Sequence, residues 1–207
     1  MLVVGLTGSI GMGKSTVAAR LREHGIPVFD ADAEVHRLYQ GGAVAPVEAV
    51  FPGVCVDGVI DRMRLARALA ADPAGFKRLE AIVHPMVWQA ERAFVQEASV
   101  NGASIAILEI PLLFEGGSEK KMDAVIVVSA PPDVQRARVL ERAGMTGARL
   151  DALLARQMPD AEKRRRADFI VDTGGSLAHT FAQTDAIIAA LRGQPALAYQ
   201  RDWAPAC

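Results

Sequence analysis

The stretch GLTGSIGMGKST, Gly5 to Thr16, decides how the rest of the chain is read. It holds Gly8, four residues, then Gly13, Lys14 and Ser15, a spacing suited to wrapping backbone amides around a polyphosphate. Leu2 to Leu6 before it is a continuous apolar run of strand length. After it, Val17, Ala18 and Leu21 recur at helical spacing until Gly25. Strand, loop and helix is the context the motif needs: Gly8, Gly11 and Gly13 let amides turn inward, and the helix adds its positive end. Lys14 then reaches the β- and γ-phosphates, and the Ser15 hydroxyl is placed for Mg²⁺.

Working outward, Ile26 to Phe29 reads as a second buried strand ending at Asp30, and ADAEVHRLYQGG, 31–42, turns helical with Val35, Leu38 and Tyr39 on one side. Residues 43–101 read almost wholly as helices broken at Pro46, at Pro52 and Gly53, at a turn on Asp57 and Gly58, at Pro73 and at Pro85. Strand character returns in SIAILEI (104–110), AVIVV (124–128) and FIVD (169–172), unalternating apolar runs of the kind buried on both faces. Strands alternating with helices predict an α/β fold with a parallel, doubly wound sheet. The basic helical piece 133–167 is too long for a simple crossover and is a candidate lid. One structural domain with two insertions is expected.

The chain has 207 residues, enough to bury a core without staples. Cys55 and Cys207 are too far apart in sequence to suggest a disulfide framework, and a reducing, cytoplasmic setting is expected. No apolar run approaches a membrane span. A formal charge of −1 gives no global field for nucleic acid, and aromatic content of 5% leaves little for base stacking. The anion site must therefore come from a few placed groups.

Asp30 and Asp32 follow the second strand in VFDAD, at the edge where open α/β sheets bind ligands. If the chain is still extended there, both side chains point the same way. An aspartate of ordinary pKa, about 3.9, cannot strip a sugar hydroxyl in the ground state. In a loose phosphoryl transfer it need only orient the hydroxyl and take its proton late. The alternative is that one aspartate caps the next helix. Glu109 ends the third strand and is either a Mg²⁺ ligand or a solvated carboxylate. Arg138 and Arg142, four apart, fall on one helical face beside the nucleotide, where a guanidinium suits a phosphate. Most of the run Lys163 to Arg166 reads as ordinary solvated helix charge. His84 is expected to make a substrate contact or a structural hydrogen bond, and the histidines show no zinc spacing.

Together these pieces resemble the dephospho-CoA kinase family, over nearly the whole chain to about Ser176. The resemblance rests on GLTGSIGMGKST, DAD at Asp30 to Asp32, DGVIDR at Asp57 to Arg62, LEAIVHP at Leu79 to Pro85, PLLFE at Pro111 to Glu115, QRARVLER at Gln135 to Arg142, and RQMPDAEKRRRADFIVDTGGS at Arg156 to Ser176. It implies a P-loop NTPase fold with about five parallel strands, a helical CoA-binding insertion (about 35–102), a lid (about 133–166) and a nucleotide core (about 1–34, 103–132 and 167–192). It also implies transfer of the γ-phosphoryl group of ATP to the ribose 3′-hydroxyl of 3′-dephospho-CoA. By position, Gly11, Met12, Gly13, Lys14, Ser15 and Thr16 would bind ATP, Asp32 would be the base, and Arg142 would clamp phosphates. His84, Pro85 and Leu112 would lie with the CoA substrate. The chain departs from the family pattern at Thr173, where asparagine is expected after VD, and at Glu109, where aspartate is frequent. The tail 193–207 carries no diagnostic motif and is given no role. A nucleoside monophosphate kinase shares the chemistry and is set aside only by the resemblance. A regulatory GTPase is disfavoured because DTGG (172–175) follows the last strand and no N-K-x-D occurs.

Overall fold

The structure is a computed structural model that describes residues 1–72 and 74–205, so Pro73 and the Cys207 thiol lie outside the described residues. Two compact units are present, residues 1–29 with 95–207, and residues 30–94. The first opens with β1 (Leu2–Thr7), the loop and α1 (Lys14–Glu23). β2 (Val28–Asp30) follows at one edge of a five-stranded parallel sheet ordered β2-β5-β1-β6-β7, with β5 at Ile105–Glu109, β6 at Ala124–Ser129 and β7 at Phe169–Asp172. Register runs Leu2 to Ile105 and Leu6 to Glu109 on one side of β1, Val4 to Ala124 and Thr7 to Val127 on the other.

The three inner strands β1, β5 and β6 are buried along their whole length, as their apolar runs require. Leu2, Val4 and Leu6 share a core cluster with Val17, Ala18 and Leu21 of α1 and with Ile187, Ile188 and Leu191 of α9 (Leu177–Leu191). Each of the Val, Leu and Ile side chains contributes about 1.5–3 kcal/mol on burial. The expectation of burial on both faces fails at the edges: β2 is only half-buried, and β7 alternates, with Val171 inward and Ile170 exposed. An edge strand has a neighbour on one side only, so an apolar run cannot distinguish it from an inner one.

In the second unit, α2 (Ala31–Leu38) starts on Asp30, and α3 (Val44–Val50) contains Pro46 in its first turn. No intrahelical N–H is lost there, so Pro46 does not break the helix as expected. Residues 55–60 form a hairpin, β3 (Cys55–Val56) with β4 (Val59–Ile60), rather than helix. Its two turn residues, Asp57 (φ 49°) and Gly58 (φ 79°), both take the left-handed region that a two-residue hairpin loop demands. α4 (Arg62–Ala71) is capped by Asp61, whose Oδ1 accepts from the Met63 and Arg64 N–H groups. α5 (Gly75–Val100) runs straight through Pro85, correcting the expected break. A proline costs about 3 kcal/mol inside a helix. Leu79, Ile82, Val83, Met86 and Val87 pack into this unit's core on both sides of it and outweigh that loss.

The tail, which carries no diagnostic motif, packs within the first unit. Trp203 is buried and its indole N–H donates to the Lys121 carbonyl at 2.8 Å, within a π-helical turn at Tyr199–Trp203. Asp123 joins tail and sheet: Oδ1 accepts from Leu197 and Ala198 N–H, each at 2.7 Å, and Oδ2 from Val3 N–H at 2.9 Å. Asp123→Ala strands a buried N–H on β1 and frees the tail. It should cost about 2–4 kcal/mol in urea unfolding, and a loss below about 0.5 kcal/mol would contradict this role.

Candidate active site

The loop between β1 and α1 is shaped by its glycines. Gly11 and Gly13 adopt φ of 79° and 87°, the left-handed region closed to most side chains. A Cβ at Gly8 would lie 2.4 Å from the Val128 carbonyl oxygen, so the loop starts in backbone contact with β6. The Thr16 N–H already bonds the Gly13 carbonyl at 3.1 Å, which begins α1. No described hydrogen bond takes the N–H of Gly11, Gly13 or Ser15. These are the orphan donors of a helix start and its approach, the groups that bind anions.

Side chains hold the loop's carbonyls the other way. Gln135 Nε2 donates to the Ile10 carbonyl at 2.7 Å, and Thr173 Oγ1 donates to the Met12 carbonyl at 2.7 Å. No described peptide is cis, and a trans peptide carries its N–H opposite its C=O. Holding the Ile10 and Met12 carbonyls therefore turns the N–H groups of Gly11 and Gly13 away from Gln135 and Thr173. Met12 N–H donates to the Ser9 carbonyl at 3.2 Å, and the Met12 side chain is buried. Lys14 Nζ donates to the Gly8 carbonyl at 2.8 Å, which keeps the ammonium over the start of the loop.

Thr173, noted in the sequence only as a departure, is thus a loop support. It sits at the end of β7, where its N–H donates to the Ser129 carbonyl at 2.9 Å. Arg138 of α6 (Pro132–Leu140) holds it from outside, Nη1 donating to Thr173 Oγ1 at 3.1 Å and Nη2 to its carbonyl at 2.6 Å. Arg142 does not share a helical face with Arg138, contrary to expectation. α6 ends at Leu140, and the Arg142 N–H bonds Val139 O at 3.1 Å in a tightened turn beyond it.

Lys163 is a second correction. Expected within a solvated basic run, it is fully buried on α8 (Asp160–Arg166), with Nζ 2.9 Å from Glu115 Oε1 and 3.3 Å from the Pro111 carbonyl. Thr7, the last residue of β1, also donates to Pro111 O, at 3.1 Å, and Met158 N–H donates to Glu115 Oε1 at 2.7 Å. The PLLFE turn is therefore tied to both β1 and α8. Burial pushes the Glu115 carboxyl up, but the Met158 N–H and the Lys163 ammonium outweigh it and hold the group below its usual range.

Of the remaining expected residues, Glu109 is the buried last residue of β5, beside Leu6, and Ser15 is exposed in the first turn of α1. Among the described residues no three His, Cys, Asp or Glu side chains gather as a metal site. A Mg²⁺ ion commonly takes only one or two protein oxygens and completes its shell from phosphates and water, so such a gathering is not required for one. Leu112 is exposed in the turn after β5. In the second unit the chain is not extended from Asp30 to Asp32: Asp30 caps α2, accepting from the Ala33 N–H at 2.9 Å, and Asp32 is exposed in that helix's first turn. Capping, the alternative reading, falls to Asp30. His84 and Pro85 are exposed on α5. Sequence reasoning missed Gln135 as a loop support, although it lay inside a quoted motif, because a glutamine at helical spacing carries no signal of its partner.

Lys163→Met leaves the part-exposed Glu115 charge without its ammonium and should cost about 1–3 kcal/mol in denaturant unfolding at neutral pH. In the wild type the lowered Glu115 pKa means its stabilisation is complete above 4.5 and is lost as pH falls below it. Protonation of Glu115 also relieves the variant's unpaired charge, so the cost of Lys163→Met should shrink at about pH 4. An equal cost at both pH values would refute the pairing.

Comparison with known proteins follows the same lines. Residues 2–179 match the family model of dephospho-CoA kinase. A dephospho-CoA kinase of Mesorhizobium japonicum is 56% identical over 194 residues, 94% of this chain and 98% of that protein. One of Brucella melitensis is 54% identical over 198 residues, covering 96% and 99%. Among solved structures, a dephospho-CoA kinase from Campylobacter jejuni has a TM-score of 0.70 at 25% identity, over 92% of this chain and 96% of that one.

Proposed function

The chain belongs to the dephospho-CoA kinase family and carries its activity, phosphorylating dephospho-CoA with ATP in the last step of coenzyme A biosynthesis, and from that premise we propose how its residues divide the chemistry. The supporting observation is a phosphate loop whose Gly11, Gly13 and Ser15 amides are unengaged while its neighbouring carbonyls are held away. Those amides, with the positive end of α1, bind the donor's β-phosphate. Lys14 exchanges the Gly8 carbonyl for β- and γ-phosphate oxygens.

Asp32 orients the ribose 3′-hydroxyl of 3′-dephospho-CoA. As the new P–O bond forms and the bond to ADP breaks, the hydroxyl proton passes to the Asp32 carboxylate. Because the transition state is loose, the proton moves late and a carboxylate is base enough. Arg142 clamps the phosphates from a lid spanning about 133–166. His84, Pro85 and Leu112 contact the CoA substrate, the first two on a helical insertion spanning about 35–102. Arg138 acts through Thr173 on the Met12 carbonyl, and the loop from Gly8 to Thr16 encloses the nucleotide. Ser15 and Glu109 would hold Mg²⁺, which when bound neutralises charge on the β- and γ-phosphates.

Purified protein given ATP with 3′-dephospho-CoA, AMP or shikimate should turn over the first alone, and turnover of AMP alone would overturn the substrate assignment. Lys14→Ala and Asp32→Asn should each lower kcat by about 10²–10⁴ with the fold intact by circular dichroism. An Asp32→Asn enzyme with near wild-type kcat would remove the base assignment.

A further inference from the structure

Among the described residues, two side chains of the segment 133–166 hydrogen-bond the phosphate loop directly, and the kinase chemistry above uses neither directly. One is Gln135, on the Ile10 carbonyl. The other is Gln157, in the connection between α7 (Gly147–Leu154) and α8, whose Oε1 accepts the Ile10 N–H at 3.2 Å. The peptide that carries this N–H joins Ser9 to Ile10. Its other end, the Ser9 carbonyl, accepts the Met12 N–H at 3.2 Å and so closes the turn inside the loop. Two successive peptide planes are thus pinned by glutamines from opposite ends of one segment.

Gln157 is itself firmly placed. Its own N–H bonds the Leu154 carbonyl at 3.0 Å, and the next residue, Met158, donates its N–H to Glu115, the partner of buried Lys163. The side chain is half-buried, and the described hydrogen bond of its carboxamide is the one from the Ile10 N–H. Its oxygen serves the loop.

Resting on the kinase reading, we propose that Gln157 is a positioning residue for phosphoryl transfer, acting through the Ser9–Ile10 peptide to keep the Gly11 and Gly13 amides aimed at the donor phosphates. Without that acceptor the Ser9–Ile10 plane can rotate, and the Met12 bond that shapes the loop rotates with it. Donors already aimed at developing charge need no reorganisation during reaction, so loosening them lowers turnover. The acceptor substrate does not feel this change.

Two near-isosteric variants separate the roles. Gln157→Met keeps the stem without a carbonyl acceptor, and Gln157→Glu keeps an acceptor oxygen at the same reach. Kinetics with ATP and 3′-dephospho-CoA are to be read beside amide hydrogen exchange of Ile10 by NMR. Gln157→Met should lower kcat about tenfold, leave KM for 3′-dephospho-CoA within about twofold, and speed Ile10 exchange about tenfold. Gln157→Glu should recover most of the kcat and of the Ile10 protection, with a raised KM for ATP because its charge repels phosphate. A Gln157→Met protein with wild-type kcat and wild-type Ile10 exchange overturns the proposal, as does Gln157→Glu equally impaired in both. Wild-type protein inactive on 3′-dephospho-CoA would sink the kinase reading instead, and the Ile10 exchange comparison would still decide whether Gln157 holds the loop.

Discussion

A phosphate loop works only if its amides face one way, and that requires its carbonyls to be held the other way. Here the holding is done by two side chains of distant sequence, Gln135 on Ile10 and Thr173 on Met12, together with Lys14 of the loop itself on Gly8. Glycines permit the left-handed turns, but they do not choose the direction of each peptide. That choice comes from partners 125 and 161 residues away along the chain. The chemistry of the loop therefore depends on the completed sheet as much as on its own motif.

The sheet supplies those partners by register. β6 lies beside β1 and brings Val128 against Gly8, and β7 lies beside β6 and brings Thr173 onto Ser129 and so to Met12. Arg138 fixes Thr173 in turn. The pair of buried Lys163 with part-exposed Glu115 gives α8 an attachment, through Pro111, to the end of β1. Such a pair adds little net stability over an apolar substitute, but it constrains geometry, since a buried ammonium such as that of Lys163 is costly without its partner. Its place under the turn that follows β5 suits a role in setting where the segment 133–166 is anchored.

The phosphate loop, the five strands and the helical character of most of 31–100 were legible because each depends on local patterning, apolar runs or spaced glycines. What escaped depends on tertiary partners. Pro85 was read as a break because its cost is local, whereas the core contacts that override it lie on both sides along α5. The hairpin at 55–60 was hidden by strands of two residues, too short to show a period. Lys163 looked like its basic neighbours, and nothing in a run of charges tells which one turns inward. Thr173 was seen only as a departure from the family pattern, while its hydroxyl supports the loop. Of the two aspartates, the capping geometry at Asp30 was foreseen as an alternative, yet the strand end could not be placed closely enough to choose.

The amides are aimed before the nucleotide arrives. A crystal structure with a non-hydrolysable ATP analogue and 3′-dephospho-CoA tests it most directly. Gly11, Gly13 and Ser15 N–H groups should lie within hydrogen-bond reach of β-phosphate oxygens while the Ile10 and Met12 carbonyls keep Gln135 and Thr173. Peptide flips at Ile10 or Met12 that abandon those partners on binding would contradict it.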